Sequence, residues 1–353
     1  MCYLKGLYIF FIIVALNIFF FSTKNLNAKA FLIEDIEISE PFESNFDKNS
    51  LIYKGFENAF YELINSLIKS SDLKKINSVK VNEIKGMVDT FSIKEEKFIN
   101  QIYHVNLGVS FDKKKIYDFL EKKNIFPTQI IDKTFLFIPI IIDQKGDEIK
   151  VFTDNPLYKN WNKIEKSNYL IKYLLPTEDL EDFDLIKKNL NNIEKYDFKE
   201  IIKKYNLEDS IIALIFKSNS NIRILSRISV KDNVVLKNQS FSDLDIQNDD
   251  KVFKIIEELK TVYEDYWKNF NKINTSIKLS LNIKIDSSDN LKISNFEEVI
   301  SEMDLIYDFN IIKFNKEFIY YNIIFNGTPS NFLKSMRDKN FSINTQDKIW
   351  ILK

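Results

Sequence analysis

Beyond the first thirty residues, the apolar positions follow the two periods that define regular secondary structure. Between residues 49 and 69 they recur every three or four positions, which predicts an amphipathic helix. From 103 to 111 they alternate with polar positions, which predicts a strand that follows an earlier strand across a charged turn at Lys94–Lys97. Asp112 is placed to cap the next helix. These elements predict an N-terminal α/β domain over residues 31–130.

The middle of the chain is marked by two apolar runs, at 135–142 and 210–216. Such runs are typical of strands that are covered on both faces. Pro139 lacks the N–H that a strand donates, so we expect the first of these strands to lie at a sheet edge or to bulge there. A helical stripe runs from Asp249 to Phe270. Together these patterns predict a middle α/β domain over residues 131–273.

The last part of the chain carries the most regular pattern. Alternation at 277–285 predicts a strand, helical spacing follows, and two alternating stretches flank the turn Asn315–Glu317. Thr328 is placed to cap a second helix, and a short strand is predicted at 349–352. The order β-α-β-β-α-β is the ferredoxin-like arrangement. We therefore predict a ferredoxin-like domain over residues 274–353 and, for the whole chain, an α/β (α+β) class built of several small domains.

Residues 7–21 are almost all apolar, and Lys5 precedes them. With Ala28 and Ala30 at the −3 and −1 positions, this is the layout of a secretory signal peptide, so we predict that residues 1–30 are removed after Ala30. The run is shorter than the roughly 20 residues of a spanning helix. The alternative is an uncleaved segment that anchors the chain in the inner membrane through residues 7–21. The predicted location is the periplasm.

Cysteine content and charge narrow the possible functions. Cys2 is the only cysteine and lies in the predicted signal peptide, so the exported chain would hold no disulfide and no cysteine metal ligand. The formal net charge is −1, from 50 basic and 51 acidic residues. A protein that binds nucleic acid needs a basic face, so we predict no nucleic-acid partner.

The stretch VFTDNPLYKNW, residues 151–161, is the most unusual loop of the sequence. Asp154 and Asn155 begin a turn, and Tyr158 and Trp161 follow at helical spacing. An aromatic pair beside a polar turn can line a binding groove, but it can also fill the gap between a strand and a helix. We keep these four residues as candidates for ligand binding.

The acidic run TEDLEDFD, residues 177–184, contains the further binding candidates Asp179 and Asp182. Such carboxylates can hold a hard cation, but the glycine and the distal glutamate of a calcium loop are missing. The alternative is that they occupy the first turn of a helix, where negative charge meets the positive end of the helix dipole. We predict no metal site here.

The sequence contains no recognisable set of catalytic residues. His104 is the single histidine, and the alternation places it on the polar face of a strand. There is no GxSxG nucleophile turn and no glycine-rich phosphate loop in a sequence with only six glycines. We therefore predict no catalytic residue and no cofactor.

The order of these features resembles the uncharacterised proteobacterial envelope proteins that carry the domain of unknown function 2066. The resemblance covers nearly all of the chain after residue 30 and includes the positions Asn155, Pro156, Trp161, Asp179 and Asp182. The segments in their order are FENAFYELINSLI, YHVNLGVSFD, FLFIPIII, NPLYKNW and LLPTEDLEDFD. It implies a periplasmic or envelope protein of unsettled role, and the family supplies no catalytic residues.

Three functions are compatible with these features. The leading hypothesis is an exported, non-enzymatic protein that binds another envelope protein or assists envelope assembly, because the chain has an export signal and one-sided sheets but no catalytic set. One alternative is a module that binds a small ligand or metal ion through residues 154–161 and the acidic run. Another is a carboxylate-dependent hydrolase of wall or glycan, which needs two carboxylates at a fixed separation across a cleft.

Overall fold

The computed structural model describes residues 31–353 except 147, 220, 232, 243–245 and 247. The predicted signal peptide, its cleavage site at Ala28 and Ala30, and Cys2 therefore lie outside the described residues. Across the described ranges, no helix combines the length and the apolar character that crossing a membrane requires. The described strands form three sheets with interleaved helices, which confirms the predicted class of several small α/β units.

The first unit is a three-stranded antiparallel sheet in the order β1-β3-β2, with helices packed on one face. Its elements are β1 (Leu32–Pro41), α1 (Lys48–Leu67), a 3-10 turn (Ser70–Lys75), α2 (Val81–Met87), β2 (Val88–Ile99), β3 (Ile102–Phe111) and α3 (Lys113–Lys122). Asp112 accepts a hydrogen bond from Lys115 N at 3.1 Å, which confirms the predicted cap. Gly55 lets α1 approach the sheet, because a Cβ there would lie 2.5 Å from Leu107 Cδ1.

The charged turn predicted at Lys94–Lys97 is wrong, because these residues lie within β2. The chain reverses instead at Asn100 and Gln101, which have φ values of 52° and 62°. Two consecutive residues with positive φ form the tight hairpin turn whose twist matches that of the flanking strands. Most of β2 is exposed, so its charged residues cost little there, and local polarity was a misleading signal for the turn.

The middle unit is a mixed sheet in the order β5-β4-β7-β8-β9, with β6 also paired to β4. β4 runs parallel to β6 and β7, whereas the remaining neighbours are antiparallel. The strands are β4 (Lys133–Asp143), β5 (Glu148–Lys150), β6 (Ile171–Leu174), β7 (Ser210–Ser218), β8 (Asn221–Val230) and β9 (Asn233–Phe241). The helices are α4 (Pro156–Asn160), α5 (Leu180–Lys188), α6 (Lys199–Lys203) and α7 (Asp249–Phe270), with 3-10 turns at Trp161–Lys163 and Leu190–Asn192.

Both faces of this sheet are covered, as the two apolar runs predicted. Phe135, Phe137 and Ile141 of β4 pack with α7 on one face. Ile138 and Ile140 pack with α5, α6 and their connections on the other face. Neighbouring residues of one strand point to opposite faces, so a continuous apolar run is needed to fill two cores.

The C-terminal unit is a five-stranded sheet in the order β11-β12-β10-β14-β13. Its elements are β10 (Leu279–Asp286), α8 (Asn290–Glu302), β11 (Ile306–Phe314), β12 (Phe318–Phe325), α9 (Pro329–Asp338), β13 (Ile343–Asn344) and β14 (Trp350–Leu352). Thr328 caps α9 by accepting from Asn331 N at 3.3 Å. The predicted β-α-β-β-α-β order holds through α9. After it the chain forms a short hairpin, so that β14 pairs parallel to β10 and β13 lies outside it.

The N-terminal unit contacts both of the other units. On one side, Ser70 N donates to Asp265 Oδ1 at 2.7 Å, and Ile273 N donates to Pro127 O at 2.8 Å. On the other side, Lys113 Nζ donates to Met303 O at 2.9 Å. Each sheet lies inside one of the predicted domain ranges, 31–130, 131–273 and 274–353, and the boundaries themselves stay predictions.

A stripe of buried charged residues on α7 joins the middle unit to its surroundings. Lys260, Glu264 and Lys268 are 1%, 2% and 6% exposed, and their spacing of four places them on one face of the helix. We call them the α7 charged stripe. Glu264 accepts from the backbone N–H of Leu170 at 3.2 Å and of Ile171 at 2.8 Å.

The two lysines of the stripe donate to carbonyl groups of other segments. Lys260 Nζ donates to Ile164 O, and Lys268 Nζ donates to Asn65 O at the end of α1. Burial lowers the pKa of both lysines and raises the pKa of Glu264, because water no longer stabilises their charged forms. The stripe therefore fixes β6, the turn after Trp161 and the end of α1 on one helix.

Pro139 lies where β4 has a neighbouring strand on one side only. β7 pairs with residues 136–143, whereas β6 and β5 pair with 133–136 and 141–143 on the other side. Asn155 Nδ2 enters this gap and donates to Pro139 O at 3.0 Å. The N–H and C=O of one strand residue point to the same edge. The N–H that Pro139 lacks would therefore point into the gap and not toward β7, so its absence breaks no pairing. The expected local edge is confirmed, and the pairing of β4 with β7 shows no bulge.

Asn155 also organises the loop that follows β5. Besides its bond to Pro139, its Nδ2 donates to Lys150 O at 3.3 Å, and its Oδ1 accepts from Leu157 N at 2.9 Å and Tyr158 N at 3.3 Å. The side chain is fully buried. The Nδ2 group of Asn155 thus takes the place of a strand partner of β4, and its Oδ1 atom caps α4.

We expect Asn155→Ala to lower the free energy of unfolding by about 3 kcal/mol, since it leaves several buried backbone groups without partners. Urea unfolding of the purified chain, followed by tryptophan fluorescence, measures the change. Asn191→Ala is the matched control, because Asn191 is exposed in a 3-10 turn, and it should change the value by less than about 0.5 kcal/mol. Equal effects of the two substitutions would contradict this role of Asn155.

Candidate functional site

A cleft of about 480 Å³ opens at the end of the middle sheet, and we call it the strand-end cleft. β4 and β7 run parallel, so their carboxyl ends meet at this edge. The charged residues that line the cleft are Asp143, Lys150, Asp154, Lys159, Lys163, Lys217 and Asp249. In open α/β sheets, ligands characteristically bind outside the carboxyl ends of parallel strands. The position and size of this cleft make it the candidate functional site.

The start of α7 forms part of the cleft wall. Asn248 caps the helix by accepting from Lys251 N at 3.2 Å, and Asp249 in its first turn lines the cleft. The first N–H groups of a helix carry a partial positive charge, which Asp249 partly balances. The wall of the cleft therefore includes a helix start and a carboxylate as well as lysines.

Asp143 and Lys217 lie opposite each other at the ends of β4 and β7 and form an ion pair at 2.9 Å. Asp143 Oδ1 also accepts from the backbone N–H groups of Lys145 and Gly146, each at 3.1 Å. The Lys217 hydrogen bond, aided by these two backbone bonds, lowers the pKa of Asp143 to about 2. Asp143 is thus ionised at neutral pH, and its charge offsets that of Lys217.

The structure brings one of the four loop candidates into the cleft. Asp154 lines it, whereas Asn155 is held by backbone groups alone. Tyr158 is half-buried and donates its hydroxyl to Pro176 O at 2.7 Å. Trp161 is fully buried and stacks on Phe137, with ring centroids 3.7 Å apart. Of the two interpretations of this aromatic pair, packing between strand and helix describes its contacts.

Asp179 and Asp182 of the acidic run lie around one lysine. Lys204 Nζ lies 2.8 Å from Asp179 Oδ2 and 2.7 Å from Asp182 Oδ1. Asp179 also caps α5 by accepting from Glu181 N at 2.8 Å. These contacts raise the pKa of Lys204 and lower the pKa of Asp179. Asp182 is 1% exposed. The acidic run therefore begins helix α5, and its two candidate aspartates are paired with Lys204.

The acidic run contacts a residue of the strand-end cleft, because Thr153 Oγ1 donates to Glu178 Oε1 at 3.0 Å. Thr153 lines the cleft, but Asp179 and Asp182 are not among its lining residues. In the ranges that the structure describes, no group of three or more His, Cys, Asp or Glu residues is placed to hold a metal ion.

His104 lies in β3 between Ser39 of β1 and Lys97 of β2. It is half-buried, and together with Glu37 and Glu95 it lines a separate shallow cavity of about 390 Å³. The placement agrees with the predicted polar face of a strand. Its neighbours there are side chains of the sheet itself.

Most residues of the strand-end cleft were missed by the sequence analysis. Lys150, Lys159 and Lys163 lie in or close to the stretch 151–161, and Lys217 lies far from them, but lysine is too common in this chain to attract notice. One usable signal was present. Asp143 and Lys217 each follow directly after one of the two apolar runs, and the carboxyl ends of parallel strands meet at one edge.

No protein-family model matches this chain, and no curated protein matches it in sequence. The resemblance to envelope proteins that carry the domain of unknown function 2066 stays a prediction. The geometry of the strand-end cleft is therefore the basis for a functional proposal.

Proposed function

We propose that this protein binds a small anionic solute in the strand-end cleft. The observation that carries the proposal is a cleft of about 480 Å³ at the carboxyl ends of β4 and β7 with four lysines in its wall. Volumes of roughly 300–1,000 Å³ are typical of sites for small molecules. The charge and shape of the cleft support a carboxylate or phosphate-bearing ligand.

Two lysines of the wall are available to an anion. Asp143 offsets Lys217, and Glu148 lies 3.3 Å from Lys150 Nζ, so Lys159 and Lys163 remain, together with Asp154 and Asp249. A lysine ammonium is a point charge with three donors, which suits the oxygens of an anionic group. The two remaining aspartates accept hydrogen bonds and favour a ligand that also carries hydroxyl or amino groups.

The same cleft gives less support to carboxylate-dependent hydrolysis. That reaction needs one carboxyl group whose raised pKa keeps it protonated so that it can donate a proton. The pKa of Asp143 moves in the opposite direction. Binding without reaction is therefore the function that we propose for this cleft.

We expect Lys159→Gln combined with Lys163→Gln to weaken binding of citrate or inorganic phosphate about tenfold or more. Loss of two partly screened charge contacts of about 1 kcal/mol each has this effect. Isothermal titration of the full exported chain measures the dissociation constant. The matched control is Lys187→Gln with Lys188→Gln, two exposed lysines at the end of α5, and it should bind like the wild type.

Two results would contradict anion binding in the strand-end cleft. One is that no carboxylate or phosphate compound binds the wild type at millimolar concentration. The other is that the control pair weakens binding as much as the pair in the cleft, which would indicate a general effect of charge.

A second candidate function is docking of an envelope protein partner along β11. Within the described residues this strand pairs with β12 alone, so its other side forms an edge of the sheet. Ile311, Ile312 and Phe314 are 54%, 56% and 70% exposed at its end. An exposed apolar edge can accept a strand from another protein, with main-chain hydrogen bonds for affinity and side-chain pockets for specificity.

We expect Ile312→Lys to abolish capture of such a partner from cross-linked envelopes, because a charge at the edge opposes strand pairing. Leu291→Lys is the control, since Leu291 is 73% exposed and lies on helix α8 instead of a strand, and this variant should capture the partner as the wild type does. Failure of the wild type to capture any partner reproducibly would remove this candidate.

We propose that either function is performed in the periplasm, after export through residues 1–30. The layout of the apolar run and of Ala28 and Ala30 supports this proposal. Amino-terminal sequencing of the protein from fractionated cells should give Phe31 as the first residue. An intact Met1 on a membrane-bound chain would favour an anchor formed by residues 7–21 instead.

A further inference from the structure

A third cavity, of about 430 Å³, lies at the junction of the N-terminal and middle units, and we call it the Lys260 pocket. Ser66 of α1 and Asp132 of the connecting segment line it on one side. Tyr169, Tyr173 and Lys260 line it on the other. Cavities between units are frequent places for small-molecule sites.

We propose that the Lys260 pocket binds a small 2-oxo acid or aldehyde acid and that Lys260 forms an imine with its carbonyl carbon. The proposal is independent of the strand-end cleft, which shares no lining residue with this pocket. It rests on the placement of one amine, on an unpaired hydroxyl in the same wall and on two further lysines of the lining.

Lys260 is placed as an amine nucleophile. It is 1% exposed, and its Nζ donates to Ile164 O, which uses one of its hydrogens. In the part of the chain that the structure describes, no carboxylate forms a salt bridge with it. Glu264, four residues away, has its oxygens bonded to Leu170 N and Ile171 N. The amine is therefore held in place but is not neutralised by an acid.

Aromatic rings surround this amine. Its Nζ lies 5.4 Å from the ring centroid of Trp161, 5.9 Å from that of Tyr169 and 5.0 Å from that of Tyr173. Burial among them lowers the pKa of Lys260 to about 8, against the weaker attraction of Glu165 and Glu264. A desolvated lysine of this kind has an appreciable uncharged fraction near neutral pH, which is the form that attacks a carbonyl.

Tyr173, whose ring centroid lies 5.0 Å from the amine, supplies a proton donor in the wall of the pocket. Its hydroxyl is buried and has no hydrogen-bond partner among the described residues, which is uncommon for a buried polar atom. Burial raises the pKa of Tyr173, so the hydroxyl keeps its proton. Lys166 and Lys172 also line the pocket. Each forms an exposed ion pair, Lys166 with Glu257 at 3.5 Å and Lys172 with Asp132 at 3.8 Å, and the carboxylate of the ligand would exchange with these partners.

The chemical step balances without an oxidant or a reductant. The Lys260 nitrogen forms a bond to the carbonyl carbon, and the carbonyl oxygen takes up a proton. The C–O bond of this adduct then breaks, and the oxygen leaves as water. The two hydrogens of this water balance the two that the amine loses, and an imine remains. Tyr173 is the group that passes a proton to the departing oxygen.

The test is reductive trapping of the full exported chain with glyoxylate and cyanoborohydride at pH 7.5, followed by peptide mapping. We expect Lys260 to be modified at least tenfold faster than Lys172, an exposed lysine at the same mouth that serves as the internal control. At this pH the uncharged fraction of an amine with a pKa near 8 is on the order of a hundred times that of an ordinary lysine.

Variants separate the site from general reactivity. Lys260→Arg should remove the rapid modification while the rates at other lysines stay unchanged. Tyr173→Phe removes an unpaired hydroxyl and should keep the fold, so a fall in the trapping rate at Lys260 supports proton transfer by Tyr173. Modification that is equally fast at Lys172, or absent at Lys260 in the wild type, would overturn the proposal. A Tyr173→Phe rate equal to the wild type would overturn the part assigned to Tyr173.

Discussion

The middle of this protein depends on the α7 charged stripe of Lys260, Glu264 and Lys268. Burying three charged groups is costly, and here the cost is offset largely by hydrogen bonds to backbone groups of other segments. Glu264 holds the start of β6, whereas Lys268 holds the end of α1. Removal of any one of these backbone partners would leave a buried charge without its hydrogen bond. The three segments are therefore tied to one helix.

The strand-end cleft and the Lys260 pocket both follow from the path that the chain takes between β5 and β6. Thr153 and Asp154 of this segment line the strand-end cleft, whereas Glu165 and Tyr169 line the Lys260 pocket. Asn155 fixes its beginning by bonding to backbone groups. Trp161 anchors its middle by stacking on Phe137 in the core. The segment between β5 and β6 therefore supplies a wall to each of the two candidate sites. Residues of the unusual loop, 151–161, line the strand-end cleft, and residues that follow it line the Lys260 pocket.

Local signals predicted the elements well and the contacts of single residues less well. The caps at Asp112 and Thr328 and the helix from Asp249 to Phe270 are set by neighbours in sequence, so their patterns were sufficient. The turn at Asn100 and Gln101 was missed because φ angles, and not polarity, select a tight turn. β9 was not predicted. Its apolar residues Val234 and Leu236 are exposed, so this strand buries no regular apolar face that a sequence pattern could indicate.

The sequence by itself determined the α/β class, the order of most helices and strands and the double-sided burial of β4 and β7, because each depends on apolar periodicity within one segment. Tertiary structure alone decided which charged residues meet. Asp143 reaches Lys217 across 74 positions, and Lys268 reaches Asn65 across 203. The physical reason is that an ion pair or a buried lysine depends on distances between segments, and periodicity along the chain carries no information about those distances.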